Sequence, residues 1–130
     1  GNDKVYGDAG RDILNGNDGD DWIAGGAGGD TMRGGAGADA FAYLDIGDAG
    51  LTQATRDSIL DFEVGLDVLD LTAYALAFGV ASTVSIAAGG GGALNWYLAT
   101  IDADSNGTND FVISVSTTGG VLTAADFLLV

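Results

Sequence analysis

Histidine, cysteine and proline are all absent from this sequence. Without histidine there is no Ser-His-Asp set, no histidine-bearing zinc hydrolase site and little general-base chemistry. Without cysteine there is no disulfide, no thiol nucleophile and no soft metal ligand. Without proline, neither ring-induced kinks nor cis bonds are expected. Basic residues are nearly missing too: Lys4, Arg11, Arg33 and Arg56 stand against 19 acids, for a net charge of −15. Nucleic acid is therefore a poor partner, because binding it requires cations that displace counterions. Anionic membrane surfaces are disfavoured for the same reason. No run of about 18 apolar residues exists to span a bilayer, and the chain does not open on a secretory signal peptide. It opens in mid-repeat without a methionine, so a longer parent protein with an upstream domain is expected.

The acids themselves are skewed: Glu63 is the only glutamate among them, and the rest are aspartate. A merely solubilising surface would use both, whereas tight loops of oxygen ligands favour the shorter side chain. Nearly half the residues are apolar, which argues against an acidic disordered chain. Seven aspartates fall on a nine-residue ruler: Asp3, Asp12, Asp21, Asp30, Asp39, Asp48 and Asp57. Two residues after five of them comes an apolar side chain, Val5, Leu14, Ile23, Met32 or Phe41. Two residues before the first five comes a glycine: Gly1, Gly10, Gly19, Gly28 and Gly37. A fixed period carrying three chemistries marks a repeat architecture. A flexible Gly/Asp linker would not hold an apolar register, and phosphate-cradling loops would need a following helix or a lysine.

The best-formed units are Gly25-Gly26-Ala27-Gly28-Gly29-Asp30-Thr31-Met32-Arg33 and Gly34-Gly35-Ala36-Gly37-Ala38-Asp39-Ala40-Phe41-Ala42. Looser ones begin at Gly7, with Asp8, and at Gly16, with Asp18. Each reads as a six-residue loop and a three-residue strand whose middle side chain points inward, and two units make one turn of a flattened coil. Residues eighteen apart then share an edge. That rule puts Asp3, Asp21, Asp39 and Asp57 on one edge and Asp12, Asp30 and Asp48 on the other. The expected fold is all-β: a calcium-stapled parallel β-roll over residues 1–42, continuing into a β-sandwich-like cap over 43–130.

In the cap, residues 45–56 read as a polar loop, and 57–62 and 67–71 alternate like half-buried strands. Residues 72–80 are an apolar helix or loop, and 89–92 a glycine connector. Residues 94–101 and 111–116 form a hairpin around an Asp/Asn/Gly turn. The tail, 122–130, is either an edge strand or a short helical turn.

Calcium takes roughly six to eight oxygen ligands, and carboxylate and carbonyl oxygens both suit it. One glycine-rich turn offers carbonyls but too little charge, so each ion is expected between two stacked turns. The pairs Asp12 with Asp30, Asp3 with Asp21, and Asp21 with Asp39 carry this expectation. The contributing turns hold Gly7, Gly10, Gly16, Gly19, Gly25, Gly26, Gly28, Gly34, Gly35 and Gly37, with Asp8, Asp18, Asp48 and Asp57 as further ligands. Asp61 is another candidate. So are Asp102, Asp104, Asn106 and Asp110, whose spacing is similar to the front half of an EF-hand loop; Ile113 stands where its closing glutamate belongs. A metal-free Asx turn explains that segment equally. Asp61, Asp67 and Asp70 resemble paired glycosidase carboxylates, yet nothing marks a cleft. Trp22, Trp96 and Tyr97 are read as strand-face fillers or as sugar-stacking groups.

The repeats resemble the RTX (repeats-in-toxin) nonapeptide Gly-Gly-x-Gly-x-Asp-x-U-x, a calcium-binding β-helix signature. Asp57-Ser58-Ile59-Leu60-Asp61-Phe62-Glu63-Val64-Gly65-Leu66-Asp67-Val68-Leu69-Asp70-Leu71, the Asp102-to-Phe111 turn and the ending Leu122-Thr123-Ala124-Ala125-Asp126-Phe127-Leu128-Leu129-Val130 resemble the C-terminal domain of serralysin-type metalloproteases. The resemblance implies a secreted bacterial protein exported by a type I apparatus that reads an uncleaved signal at the C-terminus. The family's protease lies upstream on a His-Glu-x-x-His helix, and this chain has no histidine. The expected function is a non-catalytic calcium-binding module that folds outside the cell. The alternative is a calcium-dependent adhesion or glycan-binding module.

Overall fold

The computed structural model describes residues 1–45, 47–73, 83–88, 96–102 and 107–128, which form a nearly all-β structure. Glycine-bearing turns send successive strands to two facing sheets. β1 (Lys4–Tyr6), β3 (Trp22–Ala24) and β5 (Ala40–Ala42) stack in the first. β2 (Ile13–Asp18) and β4 (Thr31–Ala36) stack in the second. Pairing is parallel with Val5 opposite Ile23 and Leu14 opposite Met32, so two nonapeptides do make one coil. The expected three-residue strand holds only in the first sheet; β2 and β4 are six residues long.

Parallel stacking continues beyond residue 42, the expected start of the cap. β6 (Asp57–Glu63) pairs with β4, and β7 (Val68–Asp70) pairs with β5. Residues 43–56 stand between β5 and β6 and place Met32 opposite Ile59. The second sheet then grows through β10 (Phe111–Thr118), parallel to β6, and through the antiparallel β9 (Trp96–Asp102) and β8 (Thr83–Ala88). The expected hairpin is therefore present. The tail uses both readings offered for it. A 3₁₀ turn at Ala124–Asp126 is capped by Thr123 and Asp126, and β11 (Phe127–Leu128) then pairs with β7. The sheet orders are β1-β3-β5-β7-β11 and β2-β4-β6-β10-β9-β8. The connector at 89–92 and all of 72–80 beyond Ala73 lie outside the described residues. No helix among the described residues is long and apolar enough to cross a membrane.

The core lies between the sheets. The inward apolar residue of every unit enters it, from Leu14, Ile23, Met32 and Phe41 on to Ile59 and Leu69. Phe62, Leu71, Ile101, Ile113, Leu122 and Phe127 close its C-terminal end. Burying such side chains is the chief apolar driving force, but each short strand supplies only one.

The turns stack too closely for side chains. Gly28 has φ +147, and a Cβ there would collide with the carbonyl of Gly10 in the preceding coil. Gly26 is held in the same way against the Asp8 carbonyl. Gly65, at φ +81, has nothing near its absent Cβ. In urea unfolding with calcium present, Gly28→Ala should cost about 3 kcal/mol or more, from strain and collision together. Gly65→Ala should cost about 1 kcal/mol, from the backbone conformation alone. Equal midpoints for the two variants would contradict the tight stacking of the turns.

Candidate metal centres in two aspartate ladders

The ruler aspartates lie where each turn enters its strand, and there they meet the coil before. The N–H of Asp3 donates to Oδ1 of Asp21 (2.7 Å), and that of Asp21 donates to Oδ1 of Asp39 (2.9 Å). On the other edge, Asp12 N–H donates to Asp30 Oδ1 and Asp30 N–H to Asp57 Oδ1, both at 2.9 Å. The first ladder ends where Asp39 N–H donates to Asp67 Oδ1 (3.0 Å). The peptide after each upper aspartate donates to the carbonyl below, as Thr31 N–H does to Asp12 O (2.8 Å). One carboxylate oxygen per rung is therefore committed to the fold.

The other oxygen is committed only in Asp67, where it accepts from Glu63 N–H (2.8 Å). Oδ2 of Asp12, Asp21, Asp30, Asp39 and Asp57 is buried without a hydrogen-bond partner. Asp21, Asp30, Asp39 and Asp57 are at most 2% exposed. All but that of Asp57 pack over a glycine five residues earlier: Asp21 over Gly16, Asp30 over Gly25 and Asp39 over Gly34. Asp12 sits likewise over Gly7. Buried anionic oxygens with unused lone pairs are costly unless something compensates them. Turn carbonyls lie close by, since Gly28 and Gly37 stack directly on the carbonyls of Gly10 and Gly19. Among the described residues no three carboxylates converge on one point. A hard cation held here would thus draw on backbone carbonyls as well as Asp Oδ2, which matches the donor chemistry of calcium.

Two placements differ from the eighteen-residue rule. Asp57 extends the Asp12–Asp30 ladder rather than the Asp3–Asp21–Asp39 one. The extra nine residues in the 43–56 segment keep the ruler but shift it by half a coil. Asp48 is not a rung: its Oδ2 accepts from Leu44 and Asp45 N–H within that segment. Asp67 is a rung that the ruler misses, because it falls one residue off the period, although Gly65 stands two residues before it. Its signal in the sequence is the triplet Asp67-Val68-Leu69, which repeats the Asp-x-apolar pattern of Asp39-Ala40-Phe41.

The remaining candidates are dispersed. Asp61 Oδ1 accepts from Gly34 N–H (3.0 Å), next to the Asp39 ladder. Asp8 and Asp18 have exposed side chains; Asp8 adopts φ 69, and its carbonyl accepts from Ala27 N–H. Gly10, Gly19, Gly28, Gly37, Gly26 and Gly35 all have positive φ. Asp102 Oδ2 accepts from Gly107 N–H, five residues on (2.8 Å), and the Asp110 N–H donates to the Ile101 carbonyl. Asp104 and Asn106 lie outside the described residues. Trp22 packs against Tyr6 with ring centroids 5.1 Å apart, and Lys4 Nζ lies 5.7 Å from the Trp22 ring centroid.

The family model for the peptidase M10 serralysin C terminal matches residues 6–129, nearly the whole chain. The chain belongs to the serralysin C-terminal family. The resemblance carried by the nonapeptides is thereby borne out. Two solution structures from the Azotobacter vinelandii mannuronan C5-epimerase share the fold of this serralysin C-terminal domain. The AlgE6R3 subunit aligns with TM-score 0.65 and 24% identity, over 98% of this chain and 78% of that one. The AlgE6R2 subunit aligns with TM-score 0.64 and 28% identity, over 98% and 88%. A search of curated proteins returns no match.

The electrostatics of the serralysin C-terminal ladders follow from their burial. Desolvation lifts the carboxyls of Asp30 and Asp39 above their ordinary value; ladder N–H bonds oppose it, and the neighbouring aspartates Asp12 and Asp21 add to it. Asp57 is pushed up to about 8, chiefly by burial and then by repulsion from Asp30, against the Asp30 N–H. Asp67 rises to about 6 by burial, with repulsion from Asp39 and Glu63. At a strand spacing of about 4.8 Å, two ionised rungs repel by about 3 kcal/mol at an effective dielectric near 20.

The sign of the pH dependence is fixed by these raised values. The folded chain holds protons that the unfolded chain releases above about pH 4, so stability is full below that point and falls as pH rises through 6 and 8. In chelator, acidification from about pH 8 to about pH 5 should therefore increase β content measured by circular dichroism. A decrease over that window would contradict the burial of Asp57 and Asp67.

Proposed function

We propose that this chain is a non-catalytic calcium-binding module of a larger secreted bacterial protein. It folds when it meets calcium outside the cell and carries the C-terminal type I secretion signal. The observation that carries this reading is the row of buried aspartate oxygens left without partners on both ladders. Oδ2 of Asp12, Asp30 and Asp57 on one edge, and of Asp21 and Asp39 on the other, would hold the ions together with turn carbonyls. Asp3 and Asp67 would end the second row, and Asp61 stands beside Asp39. Calcium supplies the positive charge that lets these carboxylates stay ionised while buried.

Metal binding and folding are coupled on this reading. Without calcium the stacked anions repel, and strands that each bury one apolar side chain gain too little to order the backbone. In a calcium-poor cytoplasm a chain of charge −15 stays loose enough to thread a transporter. Millimolar calcium outside neutralises the ladders, folds the roll and seeds the upstream domain. Membership of a family defined by the C-terminal part of serralysins supports export by this route. The signal would lie in residues 122–130, whose described part docks as the 3₁₀ turn and β11.

Two experiments test these claims. Asp57→Asn keeps an oxygen to accept from Asp30 N–H and removes the charge. In chelator near pH 8 it should hold more β structure than the unmodified chain, yet need about tenfold more calcium to fold fully, a loss of about 1.4 kcal/mol. Unchanged β content of the unmodified chain on chelation would sink calcium-coupled folding. Deleting residues 122–130 from the secreted parent should abolish its release into the medium; normal release would refute the export signal.

A further inference from the structure

Among the described residues the two sheets end in four edge strands, and three of them are poor templates for pairing. β1 has three residues, one of them Lys4, and β11 has two. β2 is kinked by Asn17 at φ 78 and ends on Asp18. Short length, charge and irregular backbone are the usual means by which edges avoid other chains. β8 has none of them. It runs Thr83–Ala88, pairs with β9 in an unbroken antiparallel register from Thr83 opposite Asp102 to Ala88 opposite Tyr97, and contains no charged residue. Among the described residues no strand pairs with its outer side.

The neutrality extends well past β8. Residues 71–101 contain no charged side chain, although charged residues make up 18% of the chain. In a molecule with net charge −15, β8 and the adjoining Trp96–Ile101 stretch of β9 thus offer an uncharged sheet edge that a second, equally acidic molecule can approach. A cationic partner would instead be drawn to the aspartate-bearing surfaces.

The backbone also specifies how two copies would meet. The Ser85 carbonyl accepts from the Thr100 hydroxyl of β9 (3.2 Å), so this residue faces β9. In an antiparallel ladder the N–H and C=O of one residue point to the same side and alternate along the strand. Val84, Ile86 and Ala88 therefore turn their backbone groups to the open edge. We infer that β8 is a self-association edge, pairing antiparallel with β8 of a second copy of this chain about a two-fold axis at Ile86. In this register Ile86 faces the partner's Ile86 and Val84 faces the partner's Ala88, so every outward N–H and C=O finds a mate. Opposed residues share a face, which keeps Ile86, packed on the core, on the inner side in both copies. Exposed Ser85 then lies opposite the partner's Ala87 on the outer side, and the contact is isologous and closed.

The register makes the test specific. In calcium, the unmodified chain at micromolar concentration should show twice the monomer mass by size exclusion with light scattering. Ser85→Lys combined with Ala87→Lys sets lysines opposite lysines across the axis and should halve that mass, with the circular dichroism spectrum retained. Ser85→Lys combined with Ala87→Glu sets opposite charges there and should remain dimeric. A monomeric unmodified chain, a dimer that survives both lysines, or a monomeric Lys/Glu variant would each overturn the proposal.

Discussion

Every rung of the roll asks one carboxylate to do two incompatible things: accept a peptide N–H from the neighbouring coil and remain ionised out of water. The first task aligns the coils, because Oδ1 of Asp21, Asp30, Asp39, Asp57 and Asp67 each locks onto the backbone of the aspartate below. The second leaves Oδ2 of Asp12, Asp21, Asp30, Asp39 and Asp57 buried with nothing to bond to, whereas Oδ2 of Asp67 accepts from Glu63 N–H. Desolvation is what raises Asp57 and Asp67. The ladder is therefore strong as geometry and weak as electrostatics until a cation or a proton arrives. This explains why one residue type is both the structural pin and the candidate ligand.

The same constraint accounts for the shape of the rest. Glycine beneath the carboxylates of Asp12, Asp21, Asp30 and Asp39 and glycine at positive φ between turns are two consequences of coils stacked at strand spacing. The C-terminal elements lack that glycine frame and supply a wider apolar core instead, with Phe62, Ile101, Ile113 and Phe127. They do not form a separate body, since β6 and β7 extend the two sheets of the roll directly. Docking β10 on β6 and β11 on β7 gives the short repeats a hydrophobic anchor at one end.

Much of this is legible in the residues, and the failures have a common origin. Asp3, Asp12, Asp21, Asp30 and Asp39 can be placed because their pairing partners lie one coil away and the period is set by local turn chemistry. Asp57 keeps the ruler yet changes edge, and Asp48 keeps it without becoming a rung. Asp67 joins a ladder from off the ruler. In each case the deciding quantity is the path length of residues 43–56 and of the link between β6 and β7, which sequence spacing does not encode as an edge.

The sequence by itself determined the nine-residue period, the inward apolar row and the pairing of glycine with aspartate, because each follows from backbone freedom and side-chain chemistry within one turn. Only the tertiary structure decided which carboxylates share an edge, which of their oxygens are left over, and that the uncharged β8 ends a sheet among the described residues. Those depend on strand pairing across 27 or 28 residues and beyond, where distant contacts and burial outweigh local pattern.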